Sequence, residues 1–154
     1  MTTTVQITTE PWDTPDGNHL RLAQRTELDA RYGCDDHEPG TAPSADDIAR
    51  FLVARTAEGT PIGCGALRLL DDRRAEIKRM YVDPSARGTG VATAILTALE
   101  NDARTLGLTE LVLETGDAQP DAIRFYEREG YTRIPNFGAY IGSTISICYA
   151  KPLT

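Results

Sequence analysis

Apolar positions along this chain alternate at first, then recur every three to four residues, and later alternate again. Thr3 to Thr9 alternates and is rich in β-branched threonine, which predicts an edge strand. Asn18 to Tyr32 carries Leu20, Ala23, Leu28 and Tyr32 on roughly one face, which predicts a helix stopped by Gly33. Cys34 to Gly40 is a polar loop. Ser44 is then an N-cap candidate, with Asp46 and Asp47 favouring the positive end of a dipole, so a short helix is expected through Ala49.

Phe51 to Arg55, Ile62 to Leu70 and Ala75 to Val82 read as three strands. Glu58-Gly59-Thr60-Pro61 and Asp71-Asp72-Arg73-Arg74 are polar turns too short for a crossover, so these strands pair antiparallel. Gly63 and Gly65 inside the middle strand predict a bulge or close packing. The period then switches. Ile95, Leu99 and Ala103 fall at helical spacing between Val91 and Leu106, with Gly107 beyond the end. Leu111 to Glu114 is a strand, Pro120 opens a helix through Glu129 that stops at Gly130, and Tyr131 to Arg133 and Ile145 to Lys151 supply the last β segments. A strand, helix, strand unit places one parallel pair in a mostly antiparallel sheet. The expected fold is therefore α/β, a mixed, mainly antiparallel sheet with helices on both faces. No repeat or linker divides the chain, so residues 1–154 read as a single domain.

The sharpest local signal is Arg87-Gly88-Thr89-Gly90-Val91-Ala92, between a strand and the long helix. Glycines there let backbone approach a ligand without a Cβ. A helix N-terminus adds unpaired N–H groups and a positive dipole end. Together they suit an anion, most often phosphate. A P-loop would require Gly-Lys-Ser/Thr, which is absent. A dinucleotide fingerprint would require glycine at position 93, where Thr93 stands, and opens a parallel unit rather than following an antiparallel meander. An Arg-x-x-Gly-x-Ala pattern over Arg87, Gly90 and Ala92 remains, beside a plain glycine-rich connection.

Charge and cysteine content narrow the partners. A net charge of −7 argues against nucleic acid, which needs a basic face. The three cysteines, Cys34, Cys64 and Cys148, form no C-x-x-C, so neither a disulfide framework nor a metal site is suggested. Cys64 and Cys148 lie on strands and are expected in the core, with Cys34 exposed. The N-terminal residues have no basic-then-apolar signal and no run is long enough to span a bilayer, so a cytoplasmic location and no membrane partner are expected. His37, within Asp35-Asp36-His37-Glu38, lacks ligand spacing and is expected on a solvated loop. Trp12, flanked by prolines, covers either the sheet edge or a partner chain.

Two blocks in order carry a specific resemblance. Glu76-Ile77-Lys78-Arg79-Met80-Tyr81-Val82-Asp83-Pro84, followed by Arg87 to Ala92, closely resembles the acetyl-CoA-binding segment of the GNAT N-acetyltransferase superfamily. Gln119 to Tyr131, containing Phe125-Tyr126-Glu127 and Gly130-Tyr131, resembles that family's downstream block. The likeness covers Ile62 to Lys151 well. The first 50 residues match only the family's general opening.

The resemblance implies a GNAT-type fold in which Arg87, Gly88, Thr89, Gly90, Val91 and Ala92 wrap the CoA pyrophosphate. It further implies that Met80, Tyr81 and Val82 offer backbone groups to the pantetheine arm, with an N–H near them as oxyanion donor. Gln119 stands where many members have asparagine, near the pantetheine. Tyr126 matches the tyrosine that protonates the leaving thiolate. An alkyl amine near pKa ~10.4 is free base in about one molecule in ~2,500 at pH 7, so a general base is expected. Glu76, at a position often acidic in the family, is the candidate, acting through water. The implied reaction is direct acetyl transfer from acetyl-CoA to a small-molecule or peptide primary amine, without a covalent acyl-enzyme or metal. Transfer of another acyl group, transfer to oxygen, and a noncatalytic CoA sensor remain open. In many relatives the segment holding Asp35 and Asp36 lines the acceptor pocket, where its charge would suit a cationic amine, and a homodimer is common.

Overall fold

The computed structural model describes residues 4–153. Seven strands form one sheet: β1 (Gln6–Thr9), β2 (Ile48–Arg55), β3 (Pro61–Leu69), β4 (Arg74–Val82), β5 (Glu110–Gly116), β6 (Thr132–Ile134) and β7 (Ser146–Pro152). Their spatial order is β1-β2-β3-β4-β5-β7-β6. Every neighbouring pair is antiparallel except β4 and β5. The single parallel pair follows from the helical crossover between them. Thr3 of the expected first strand lies outside the described residues, and β1 takes the sheet edge as expected.

Three helices cover the two faces. On one face lies α1 (Pro15–Tyr32), over a small core of Leu20, Phe51, Val53, Cys64, Ala66 and Tyr81. On the other lie α2 (Val91–Thr105) and α3 (Pro120–Arg128). There Ile95, Leu96 and Leu99 are buried against Leu52, Leu67, Ile77 and Leu111, each contributing about 1.5–3 kcal/mol. α1 starts earlier than its apolar spacing shows. Thr14 caps it by accepting from the Gly17 N–H at 3.1 Å, and Pro15 occupies its first turn. Gly33 ends it in the left-handed region, φ 71°. Trp12 meets Phe51 edge to face at 5.3 Å, with the Arg21 guanidinium 3.7 Å over its ring, so it covers the α1-side core of its own chain.

One element differs from expectation. Ser44 does cap, but it closes a turn rather than a helix: its N–H donates to Asp47 Oδ1 at 3.0 Å and its carbonyl accepts from the Asp47 N–H at 3.2 Å. β2 begins immediately afterwards, at Ile48 paired with Arg68. Local capping chemistry suits both outcomes, and pairing with β3 decided it.

One glycine sets the geometry that matters for function. A Cβ on Gly65 would stand 2.7 Å from Met80 Sδ and 2.9 Å from Ile95 Cγ2, so α2 rests directly on β3 there. Opposite Gly65, β4 carries an extra residue: Cys64 pairs with Tyr81 and Ala66 with Lys78, leaving Arg79 and Met80 against Gly65 alone. Arg79 has φ 57°, the only positive value at a non-glycine among the described residues. β4 and β5 pair as far as Ile77 and Leu113, with no paired position beyond.

Candidate active site

The turn at 87–92 has the form its sequence suggests. Asp83 caps a short 3₁₀ turn at Pro84–Ala86 by accepting from the Ser85 N–H at 3.0 Å. Gly88 and Gly90 then take φ 76° and 91°, positions where an L side chain would be strained. Gly90 is the N-cap of α2, so no side chain satisfies the first N–H groups of the helix. The turn therefore presents free donors and a positive dipole end.

It opens into a cleft of about 580 Å³ on the side of the sheet where β4 leaves β5. Met80, Tyr81, Val82, Arg87, Gly88, Gly90, Val91, Ala92, Gln119 and Tyr126 all line it. Residues from two separate sequence blocks thus meet in one space, within the size range of ligand sites. Thr89 does not line it: its hydroxyl turns inward to donate to the Ala86 carbonyl. Glu76 does not line it either. Its carboxylate lies over the α1 side of the sheet, accepting from Tyr140 Oη at 2.5 Å and standing 3.6 Å from Lys78 Nζ.

α1 supplies cleft residues that the sequence reading passed over. Gln24 Nε2 donates to the Met80 carbonyl at 3.0 Å, so α1 is tied to the bulged strand. Glu27 pairs with both terminal nitrogens of Arg87, at 2.8 and 2.6 Å, while Arg87 Nε donates to the Val82 carbonyl. Hydrogen bonds from Arg87 hold the Glu27 carboxyl below its usual value, against the effect of burial. Gln24, Glu27, Leu28 and Arg31 all line the cleft. Gln24, Glu27 and Arg31, spaced by three and four residues, form a second, polar helical face beside Leu28 of the apolar one. Arg31 and Arg128 add two more guanidinium groups.

Tyr126 projects from α3, with its ring edge to face against Phe125 and Tyr131 at 5.1 and 5.8 Å. Burial lifts its phenol above the ordinary tyrosine value, so it stays protonated through neutral pH. Gln119 begins the same helix, its Nε2 3.5 Å from Tyr32 Oη.

A second polar cluster lies on the α1 face, beside the parting strands. Glu38 accepts from both terminal nitrogens of Arg79, at 2.8 and 3.1 Å, and stands 3.5 Å from Lys78 Nζ. Burial opposes its charge, but hydrogen bonding from Arg79 and the charges of Lys78 and Arg79 outweigh that, holding its pKa at about 2. Lys78 Nζ also donates to Tyr140 Oη at 3.0 Å. Glu114, just beyond the last β5 residue paired with β4, accepts from Ser146 Oγ at 2.7 Å. Burial raises its pKa to about 7, the Ser146 bond and Lys78 pull it back, and Glu38 and Glu76 push it further up. A carboxyl poised there exchanges protons at neutral pH. Its sequence signal is the acidic residue that closes the apolar run Leu111 to Leu113.

His37 is the clearest correction on this face. It is buried rather than solvated: its ring stacks on Tyr32 at 5.1 Å and its Nε2 lies 2.7 Å from Asp29 Oδ1. The loop from Cys34 to Gly40 is thereby anchored against α1. Among the three cysteines, Cys34 is exposed and Cys64 and Cys148 are buried, as expected. No helix among the described residues is long and apolar enough to cross a membrane.

The sequence model of the acetyltransferase (GNAT) family matches residues 7–131. This chain belongs to the GNAT family. It is 41% identical over 105 residues to an IAA acetyltransferase of Azospirillum brasilense, a match covering 68% of each chain. Further curated acetyltransferases are matched over about half of their own length. A crystal structure from Klebsiella pneumoniae, assigned as an acyl-CoA N-acyltransferase, superposes with a TM-score of 0.83 at 32% identity, over 98% of this chain and 99% of that one. A GNAT family acetyltransferase from Elizabethkingia anophelis with acetyl-CoA bound shares the fold, at TM-score 0.71 and 20% identity over 97% and 98% of the two chains. The GNAT fold and an acyltransferase activity are thus assigned to this chain.

Proposed function

We propose that this GNAT chain moves an acetyl group from acetyl-CoA directly to a primary amine. The observation that carries this reading is that the glycine turn, the bulged end of β4 and the Tyr126 hydroxyl-bearing ring line one cleft. The residues present suit the CoA group. Gly88 and Gly90 leave no Cβ against a pyrophosphate, the uncapped α2 N-terminus offers donors, and Arg31, Arg87 and Arg128 supply positive charge. Bound there, acetyl-CoA supplies an activated acetyl thioester.

The chain's own groups then have separate tasks. The bulge at Arg79 and Met80 turns β4 backbone toward the gap beside β5, where an N–H between Met80 and Val82 would face the thioester oxygen. The neutral amine adds its lone pair to the thioester carbon, the carbon–sulfur bond breaks, and the sulfur leaves as thiolate. An ammonium acceptor releases two protons in all. One goes to the base before attack. The other leaves the new amide nitrogen and, through water, restores the Tyr126 phenol, whose own proton has gone to the sulfur, so the net release is one proton to solvent.

Glu114 is the base in this proposal, in place of Glu76. Neither carboxylate is part of the cleft lining, but Glu76 is already committed to Tyr140 and stands beside Lys78. Glu114 sits where the strands part, and its pKa of about 7 lets it take a proton from an ammonium and return it to solvent. Water carries the proton between acceptor and carboxylate.

The test is release of free CoA thiol with a panel of amines, with acetylated products confirmed by mass. Thermal shift checks the donor first: at 100 times Kd, acetyl-CoA should raise the melting point by about 5–10 °C. NAD should do much less. A rise with NAD alone overturns the assignment, and tight acetyl-CoA binding with no turnover on any amine overturns the transfer.

A further inference from the structure

The polar cluster on the α1 face specifies more than a proton acceptor. Lys78 and Arg79 are consecutive residues of one strand, and consecutive strand residues ordinarily point to opposite faces. Here the bulge opposite Gly65 and the positive φ of Arg79 bring both cationic heads to the same partner, the Glu38 carboxylate. Arg79 grips it through both terminal nitrogens, the geometry in which a guanidinium recognises a carboxylate. Both cations are largely withdrawn from water, with side chains 5% and 15% exposed for Lys78 and Arg79. This is a formed seat for one carboxylate, and it lies in the same electrostatic cluster as Glu114, whose pKa responds to Lys78, Glu38 and Glu76.

The carboxylate now in that seat belongs to an irregular segment rather than to the sheet. Glu38 lies between Gly33 and Gly40, both in the left-handed region. With Glu38 withdrawn, Arg79 would lose its one ion pair among the described residues, and Lys78 would keep only Glu76, which already accepts from Tyr140. Two buried cations would then have one carboxylate between them, and a ligand carboxylate restores the balance. An acceptor with no negative charge would leave it unrestored. At the other end of the cluster, Glu114 takes protons rather than donating charge-assisted hydrogen bonds, and so suits an ammonium group.

We propose that the acceptor is a zwitterion, an α-amino acid or an amine bearing a carboxylate at similar spacing, and that Glu38 holds the seat of that carboxylate until the acceptor arrives. The proposal rests on the acetyl-transfer reading. The acceptor's carboxylate displaces Glu38 from Arg79 and Lys78, and its amine is delivered to the side of Glu114 and the gap between β4 and β5. Specificity then comes from an ion pair that only an acidic acceptor can replace.

The test compares matched acceptors on the intact protein by CoA thiol release: α-amino acids with several side chains, their carboxamides and their decarboxylated amines. Amino acids should be acetylated with kcat/KM about 10- to 100-fold above the other two sets, the cost of an unpaired buried charge. Glu38→Gln weakens the internal competitor and should lower KM for amino acids several-fold, with little change for the amines. Lys78→Met should raise KM for amino acids and narrow the preference, while leaving the acetyl-CoA thermal shift in place. Turnover that ignores the carboxylate, or favours the amides or amines, overturns the carboxylate seat and leaves acetyl transfer standing. Acetyl-CoA binding with no turnover on any set overturns both.

Discussion

Glu27 of α1 holds both terminal nitrogens of Arg87, at 2.8 and 2.6 Å, at the mouth of the glycine turn. The pair leaves a carboxylate beside the seat assigned to the pyrophosphate and offsets part of the positive charge that Arg87 brings there. Glu27→Gln removes that negative charge, and the affinity for acetyl-CoA should rise several-fold by calorimetry. The gain should shrink in high salt, because the effect is electrostatic and partly exposed. Weaker binding would mean that Glu27 orients Arg87 for the phosphates instead of competing with them.

Tyr126 is buried against Phe125 and Tyr131 and stays protonated across neutral pH. Tyr126→Phe keeps the packing and removes the proton, so turnover should fall roughly 10- to 100-fold with acetyl-CoA affinity nearly unchanged. Unchanged turnover, with the chemical step shown to limit the rate, removes the general-acid role.

Glu114 works as a base only when deprotonated. With its pKa at about 7, kcat/KM should climb with pH below 7 and level off above it. Glu114→Gln should depress turnover and abolish that inflection. An identical pH profile in the variant would assign the inflection to another group.

Glu38, whose pKa is shifted the opposite way, gives a stability test. Its folded pKa of about 2 lies below the ordinary carboxylate value, so its contribution is present above the unfolded value near 4.5. That contribution should fade as pH falls from there through about 2. Acid unfolding of Glu38→Gln, followed by circular dichroism, should therefore be shallower over that window than for the parent chain. Superimposable acid limbs would remove Glu38 as a source of acid sensitivity.

Gly65 has no room for a methyl group, with Met80 Sδ, Ile95 Cγ2 and Leu99 Cδ1 all within 3.0 Å of where it would sit. Gly65→Ala should cost about 1–3 kcal/mol in chemical denaturation, because α2 or the bulge must give way. Its turnover should fall as well, since the same contact faces the bulged residues of β4. Full stability and activity would show that the bulge tolerates a shift.

Much of this architecture follows from local pattern. Ile95, Leu99 and Ala103 mark α2 by their spacing, and Gly33, Gly107 and Gly130 mark helix ends because each needs a left-handed backbone. Ser44 misled because its cap satisfies a turn as well as a helix, and only the pairing of Ile48 with Arg68 separates the two. His37 misled because its neighbours in sequence are polar, whereas its neighbours in space are Tyr32 and Asp29.

By itself the sequence determined most of the element order, the single parallel pair and the glycine turn and Tyr126 block on which the proposed donor site rests. The spacing of glycines, the helix start and the Tyr126 block are properties of short segments, so they survive without knowledge of the fold. The tertiary structure alone decided the polar cluster that is proposed to meet the acceptor. Glu76 and Tyr140 meet across 64 residues of chain, and Glu38 meets Arg79 across 41. Lys78 and Arg79 face one carboxylate only because β4 bulges opposite Gly65. That arrangement depends on strand register and close helix packing, long-range conditions that no local pattern contains.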